Sequence, residues 1–111
     1  MDVPGDAILL RIFVGEDKTH AGRPLHEAIA LKAREMHLAG ATVLHGTLGF
    51  GHSTRLHTAS VLFSRDLPVV IEIVDTKPKI DAFVDLLRGI PQIGLITLER
   101  VTVVQQALPT A

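Results

Sequence analysis

The hydrophobic pattern divides the chain into four extended segments and two helical ones. Segments of strand length, either alternating or continuously apolar, cover residues 7–14, 41–50, 69–74 and 95–104. Apolar residues recur every three or four positions in two further segments, 25–36 and 80–87. The order β-α-β-β-α-β is typical of the ferredoxin-like split βαβ arrangement, an α+β sandwich with two helices on one face of a four-stranded antiparallel sheet.

Local signals mark the ends of both helices. Pro24 and Pro78 suit first helical turns, because the N–H that proline lacks would have no partner there. Asp75 and Thr76 are both competent N-caps for the second helix. Gly40 is expected to stop the first helix, since glycine readily adopts the left-handed conformation that ends many helices.

The face of the sheet that the helices leave uncovered is expected to be largely apolar. Its positions in the first and third strands are Leu9, Arg11, Phe13, Val70, Glu72 and Val74. Full burial of a Leu, Phe or Val side chain stabilises by about 1.5–3 kcal/mol, so the pattern favours a homo-oligomer that covers this face. We expect the two central charges to be joined by Glu99 or Arg100, inside that interface or at its rim. The alternative is a monomer with a half-exposed face.

Composition limits the remaining classes of protein. The 111 residues are 47% hydrophobic with a net charge of −1, which excludes a disordered chain and gives no reason to expect nucleic acid as a partner. The absence of cysteine excludes disulfides and thiolate metal sites. There is no basic leader and no apolar run of membrane-spanning length. We therefore expect one soluble, cytoplasmic domain over residues 1–111, with residues 1–5 and 105–111 as loose termini.

A glycine-rich stretch, Gly46–Thr58, joins the second and third strands and carries a dense set of polar groups. Its glycines weaken any regular element but allow the backbone to approach another group closely. Free amides, an arginine and hydroxyl groups suit an anionic, phosphate-like ligand. The polar side chains are those of His52, Ser53, Thr54, Arg55, His57 and Thr58. A polar hairpin connection whose glycines only set turns is the alternative.

Other candidate chemistry is weaker. Six histidines raise the question of a metal, but no spacing brings several of them to one ion with a carboxylate, so solvated histidines are expected. Without a cysteine nucleophile or a convincing Ser-His-acid arrangement, the sequence does not predict an enzyme. Glu16, Asp17 and Lys18 either contact a ligand across the end of the sheet or form a solvated turn.

Several blocks of the sequence resemble one known family. They are Gly22–Leu25, Ala39–Val43, the Gly46–Gly51 loop with Arg55–Thr58, Leu67–Asp75, and Gly94 with Leu98 and Glu99. Together they cover nearly the whole chain, and they are similar to the uncharacterised PII-like proteins, the family called domain of unknown function 190. The resemblance implies a PII-like homotrimer of ferredoxin-like subunits with the open sheet faces turned inward.

The resemblance also implies a signalling role with an effector and a partner. PII-like proteins bind adenine nucleotides (AMP, ADP or ATP) or other small effectors in the clefts between subunits, and no cofactor is required. The loop between the second and third strands, here residues 49–66, then changes and contacts a partner, often a membrane transporter or channel.

The implied ligand-binding residues follow by position. They are Gly49, Phe50 and Gly51 at the base of the loop, Arg55 and His57 further along it, Gly89 in the turn before the last strand, and Lys18 or a neighbour's Arg100 as counter-charges. That turn lacks the Gly-x-Gly-Lys pattern of PII proteins, and the chain has no Tyr for their covalent modification. An adenine nucleotide in general is therefore favoured over ATP in particular, and nitrogen sensing of the usual kind is not expected.

Other functions on this architecture are alternatives to the signalling hypothesis. A metal-binding trimer of the copper-tolerance type would use histidines and carboxylates as ligands. An acylphosphatase-like enzyme would need an Arg in a glycine-rich loop after the first strand and an Asn nearby, whereas this loop offers Gly15 and Lys18 and the chain has no Asn. RNA binding on the sheet is disfavoured, because Phe13 is the one aromatic residue on a predicted strand proper.

Overall fold

A computed structural model describes residues 5–50, 57–58 and 67–107. In chain order its elements are β1 (Gly5–Gly15), β2 (Thr19–His20), β3 (Arg23–Pro24), α1 (Leu25–Glu35), β4 (Thr42–His45), β5 (Leu48–Gly49), β6 (His57–Thr58), β7 (Pro68–Asp75), α2 (Lys77–Leu87) and β8 (Leu95–Val103). One antiparallel sheet contains four of the strands in the order β4-β7-β1-β8. The predicted α+β, ferredoxin-like order of strands and helices is confirmed.

The hydrophobic core lies between this sheet and the two helices. Alternation places Leu10 and Ile12 of β1 opposite Ile73 and Ile71 of β7, and all four are buried. The helices cover them with the apolar stripes that helical spacing predicted, namely Leu25, Ile29 and Ala33 of α1 and Ile80, Phe83, Val84 and Leu87 of α2. Burial of each large side chain stabilises the fold by about 1.5–3 kcal/mol, which is why one face of the sheet holds both helices.

Several predicted strand boundaries differ from the observed ones. β1 already includes Gly5, which the sequence pattern assigned to the loose N-terminus. The predicted second strand, 41–50, is divided into β4 and β5: the N–H of Gly46 still donates to the carbonyl of Pro68, the first residue of β7, at 2.7 Å, and β5 beyond it belongs to a separate small sheet. β5 pairs instead with β6 as the base of a hairpin. Residues 51–56 and 59–66, between β5 and β7, and the chain ends at 1–4 and 108–111 lie outside the described residues.

The prediction that Gly40 stops the first helix is wrong. α1 ends at Glu35, and His37 takes the left-handed conformation with φ of 60°. The N–H of Leu38 donates to the carbonyl of Ala33, and the N–H of His37 donates to that of Arg34, which is the Schellman arrangement with histidine in the usual glycine position. Leu38 then packs into the core, so burial of that side chain offsets the strain at His37.

Asp75 is the one buried charged residue in the part of the chain that the structure describes. Its Oδ2 accepts a hydrogen bond from the N–H of Ala39 at 2.9 Å, and its Oδ1 accepts one from the N–H of Thr76 at 2.6 Å. The N-cap of α2 is Thr76, and its side chain makes no capping hydrogen bond. The predicted capping role of Asp75 is therefore replaced by another one, since its carboxylate joins the segment after α1 to the junction between β7 and α2.

Candidate functional site

Four segments meet at one end of the main sheet, which we call the loop end: Gly15 of β1, His45 of β4, Pro68 of β7 and Leu95 of β8. The antiparallel register places Gly15 opposite Pro68 and His45 opposite Val69. Backbone hydrogen bonds fix the connecting segments there, from Glu16 N–H to the Leu67 carbonyl at 2.8 Å and from Gly94 N–H to the Phe13 carbonyl at 2.9 Å. The connection from β4 to β7 therefore leaves the sheet after His45 and rejoins it at Pro68, at the same end as the turns that follow β1 and precede β8.

The glycines at the start of the loop are explained by packing against Pro68. A Cβ atom on Gly46 would lie 2.6 Å from Cγ of Pro68, and one on Gly49 would lie 3.0 Å from the same atom. A Cβ at position 46 would therefore clash with the proline ring, and one at position 49 would be accommodated only if the ring moved by a few tenths of an ångström, before any ligand is considered. This supports a packing role for Gly46 and Gly49, while Gly51, the third glycine of the loop, lies outside the described residues.

The sequence-predicted ligand residues fall into three groups: those at the loop end, those outside the described residues, and Arg100. Gly49 and His57 face each other in the β5–β6 pair, and Phe50 follows them with 70% of its surface exposed. Lys18 and Gly89 lie in the turns after β1 and α2, and the Nζ of Lys18 is 3.6 Å from a carboxylate oxygen of Asp17. These five therefore belong to the loop end.

The remaining predicted residues are not placed at the loop end by this structure. Gly51 and Arg55 lie outside the described residues. Arg100 lies opposite Ile8, five residues beyond Leu95 along β8 and about 17 Å from the loop end. Within one chain, Arg100 and Lys18 therefore do not share a site.

A cluster of His26, His45 and Glu16 at the loop end was not anticipated from the sequence. The rings of the two histidines meet edge to face with centroids 5.4 Å apart, and Nδ1 of His45 is 3.8 Å from a carboxylate oxygen of Glu16. Nδ1 of His26 is buried and has no hydrogen-bond partner in the described part of the chain. The three residues come from α1, β4 and the turn after β1, so only the packing of the helix on the sheet brings them together.

No three histidine or acidic side chains among the described residues are arranged to hold a metal ion. The alternative of a metal-binding trimer thus gains no support from this part of the chain. Likewise, no described helix is long and apolar enough to cross a membrane.

The second surface of interest is the side of the main sheet opposite the helices, which we call the open face. The register assigns to it Thr42 and Leu44 of β4, Pro68, Val70, Glu72 and Val74 of β7, Ala7, Leu9, Arg11 and Phe13 of β1, and Leu95, Thr97, Glu99, Val101 and Val103 of β8. Leu44 and Leu95 are about half exposed, at 48% and 54%. The predicted apolar character of this face is confirmed.

Charged residues on the open face form one network around Arg11. Its Nε donates to Oε2 of Glu72 at 2.9 Å, and its Nη1 donates to Oε2 of Glu99 at 3.2 Å. The hydrogen bond to Glu72, assisted by Glu99 and opposed by desolvation, raises the pKa of Arg11 above its ordinary value. Arg11 therefore stays charged at every pH at which the protein would be studied, and of the two partners proposed from the sequence Glu99 is the observed one.

Sequence comparisons identify the family to which the chain belongs. The model of the DUF190 family, described as Uncharacterized ACR, COG1993, matches residues 7–103. A UPF0166 protein of Aquifex aeolicus (strain VF5) is 39% identical over 97 residues, covering 86% of this chain and 91% of that protein. A second UPF0166 protein of the same organism is 34% identical over 97 residues, covering 86% of this chain and 95% of that protein.

Comparisons with solved structures find the fold of this chain in proteins of low sequence identity to it. CPII, a nitrogen regulatory PII-like protein from Thiomonas intermedia K12 bound to ADP, AMP and bicarbonate, superposes with a TM-score of 0.68 at 12% identity over 90% of both chains. A putative PII-like signaling protein from Thermus thermophilus gives a TM-score of 0.66 at 14% identity over 89% of this chain and 90% of that one. The match to the family model over residues 7–103, with these likenesses in fold, shows that the chain belongs to the DUF190 family and has the fold of PII-like proteins.

Proposed function

We propose that this protein is a PII-like regulatory protein that binds an adenine nucleotide, or a similar small anionic effector, in the clefts between the subunits of a homotrimer. The observation that supports this most directly is the likeness in fold to CPII, whose structures contain ADP, AMP and bicarbonate, or ADP and bicarbonate. The role proposed is one of binding and signalling, without a catalytic step and without a required cofactor.

The open face supports the proposed assembly. Leu44 and Leu95 are about half exposed in a single chain, beside Phe13 and Val70 on the inner strands. Removal of apolar surface from water stabilises an assembly by roughly 25 cal/mol per Å², so a face of this composition favours association with further copies. Three copies with their open faces inward would leave the helices outside and one cleft between each pair of neighbours.

The loop end supplies the proposed effector site. Backbone N–H groups from Gly49 to Gly51 would face the phosphate, with Arg55 and Lys18 as counter-charges and His57 and the turn at Gly89 beside them. Arg100 can take part only from a neighbouring subunit, because it lies about 17 Å from the loop end of its own chain. A site of this kind is completed by assembly.

Effector binding would then act through the loop of residues 49–66. Its base is fixed by Gly46 and Gly49 against Pro68, so contacts with a bound phosphate would change the part of the loop beyond that base. The loop would thereby alter its fit to a partner, which we propose to be a membrane transport protein. A ligand shifts such an equilibrium only by its differential affinity for the two loop states.

Titration calorimetry of the full chain with AMP, ADP and ATP tests the effector. We expect heat from at least one nucleotide and an affinity at least about tenfold lower for Arg55→Gln, since the substitution removes a charge-assisted contact worth about 1.5–3 kcal/mol. Arg34→Gln is the matched control, because Arg34 is an exposed arginine in the last turn of α1, at the end of that helix away from the loop end. Absence of heat with every nucleotide would refute an adenine-nucleotide effector.

A further inference from the structure

The β2–β3 hairpin is exposed and adds nothing to the hydrophobic core. Every residue from Thr19 to Pro24 is exposed, and the core cluster contains none of them. The base of the hairpin is fixed by a hydrogen bond from the N–H of Leu25 to the carbonyl of Lys18 at 2.8 Å. A two-stranded hairpin without an apolar face is at best marginally stable in water. Burial of apolar surface therefore does not explain why the chain forms this hairpin between β1 and α1.

The turn of the hairpin is strained at an alanine. Ala21 and Gly22 connect the two strands with φ of 51° and 84°, so both central residues of the turn are left-handed. Two-residue turns of this kind favour Asn-Gly, Asp-Gly or Gly-Gly, because a Cβ atom such as that of alanine is unfavourable at positive φ. The tight turn brings the residues on either side of it, His20 and Arg23, directly opposite each other.

His20 and Arg23 form a pair of hydrogen-bond donors beside the turn. Residues directly opposite each other in an antiparallel pair share one face, with Cβ atoms about 4.5–5.5 Å apart. Neither side chain has a hydrogen-bond or ion-pair partner among the described residues, whereas the neighbouring Lys18 already contacts Asp17. A guanidinium group binds carboxylates through two parallel hydrogen bonds, and an imidazole N–H beside it can donate a third. The pair therefore suits an anionic group that carries carboxylate oxygens.

We propose that the β2–β3 hairpin is a docking element for an acidic segment of a partner protein, with His20 and Arg23 contacting its carboxylates. Small molecules bind in concave sites, whereas this pair lies on an exposed turn with open space around Gly22. A nucleic acid is disfavoured as the occupant, because the chain has a net charge of −1.

The position of the hairpin relates it to the partner proposed above. The hairpin follows β1 at the loop end, where the connection from β4 to β7 also leaves the sheet, so one partner can contact both segments. The inference thus rests on the proposed role in binding a partner protein, but it does not depend on a nucleotide effector.

Fluorescence anisotropy with a labelled oligoglutamate peptide tests the charge of the hairpin. We expect the full chain to bind this peptide, more weakly as the salt concentration rises, and not to bind an oligoglutamine peptide of the same length. Arg23→Gln should weaken the binding about two- to fivefold, as expected for an exposed ion pair. Arg34→Gln is the matched control and should bind like the wild type, since Arg34 is an exposed arginine on α1 that also has no partner among the described residues.

A second pair of variants tests the geometry of the turn. Ala21→Pro keeps both donors but cannot adopt φ of 51°, because the proline ring fixes φ at about −65°. It should weaken binding of the oligoglutamate at least as much as Arg23→Gln does. Ala21→Gly accepts the left-handed conformation and should bind like the wild type. Thermal unfolding of each variant checks that the subunit still folds.

The outcomes separate this inference from the proposed effector site. Absence of binding to the oligoglutamate would refute the docking role, and equal losses in Arg23→Gln and Arg34→Gln would refute it by indicating a general effect of charge. Unchanged binding by Ala21→Pro would overturn the role of the hairpin geometry. Tighter binding of oligothymidylate, with the same dependence on Arg23, would assign the surface to nucleic acid instead. Titration of Arg23→Gln with nucleotides should match the wild type, so failure of the hairpin proposal leaves the effector site unaffected.

Discussion

At the scale of single residues, the buried Asp75 and the strained His37 each fix the position of a neighbouring segment. Asp75 holds two backbone N–H groups with one carboxylate, and His37 ends a helix in a conformation that glycine usually takes. Both residues are polar, and neither shows its role in the hydrophobic pattern. Each nevertheless acts by placing an apolar segment, since Leu38 of the segment after α1 packs in the core between them.

Replacement of Asp75 by alanine should strongly destabilise the fold. The N–H groups of Ala39 and Thr76 would both lose their acceptor in a partly buried environment, which costs about 1–3 kcal/mol for each group. We expect Asp75→Ala to lower the free energy of unfolding, measured by urea titration, by about 3 kcal/mol. Asp81→Ala is the control and should cost less than about 1 kcal/mol, because the ion pair of Asp81 with Lys77 is exposed. Equal effects of the two changes would contradict this role.

At the scale of elements, the C-terminus of α1 shows how far local signals reach. The sequence contains a glycine at position 40, three residues beyond the place where the chain turns left-handed. Because α1 ends at Glu35, Leu38 lies in the core and the N–H of Ala39 donates to Asp75. Both contacts join residues that are distant in sequence. They determine where the helix ends, and Gly40 does not form that end.

Relief of the strain at this helix end should stabilise the protein. Glycine tolerates φ of 60° at little cost, whereas other L-residues lose roughly 1 kcal/mol there. We therefore expect His37→Gly to raise the free energy of unfolding by about 0.5–1 kcal/mol. His37→Ala is the matched control, since it removes the imidazole but keeps the strain. The hydrogen bond from Nζ of Lys79 to the carbonyl of residue 37 is available in both variants. A stabilisation as large in His37→Ala would mean that the imidazole, rather than the backbone, was unfavourable.

The loop end is a second case in which elements cooperate. The hydrophobic pattern predicted β4 and the glycine-rich loop, but it extended the strand to residue 50 because residues 41–50 contain no proline or charge to interrupt it. In the structure β4 ends at His45, Gly46 lies close against Pro68, and the chain continues into the β5–β6 pair. The His26, His45 and Glu16 cluster was missed for the same reason, as its members meet only after α1 is placed on the sheet.

At the scale of the whole molecule, the two faces of the sheet lie in different environments. One is covered by α1 and α2, and the other shows apolar side chains around the Arg11 network. A monomer would leave that second face in water, at a cost that grows with the apolar area. The proposed assembly and effector cleft both depend on what covers it.

A charge introduced on the open face should weaken assembly without unfolding the subunit. Leu44 on that face is 48% exposed, and Leu86 on α2 is 49% exposed, so the two offer a matched pair. We expect Leu44→Lys to shift the sedimentation coefficient toward that of a monomer, because an unpaired ammonium group is costly in an apolar interface. Leu86→Lys should leave the coefficient unchanged. Thermal unfolding of both variants checks that the subunit still folds, and loss of assembly in Leu86→Lys alone would place the interface on the helices.

The amino-acid sequence alone accounts for the order of the elements, the buried stripe of each helix, and the apolar open face with charges at its centre. These follow from periodicity, which is a local property of the chain. Tertiary structure alone decided where α1 ends, how Asp75 is used, which carboxylates share Arg11, and that Arg100 lies far from Lys18. Those features depend on strand register and on the packing of helix against sheet, which join residues distant in sequence and leave no periodic signal.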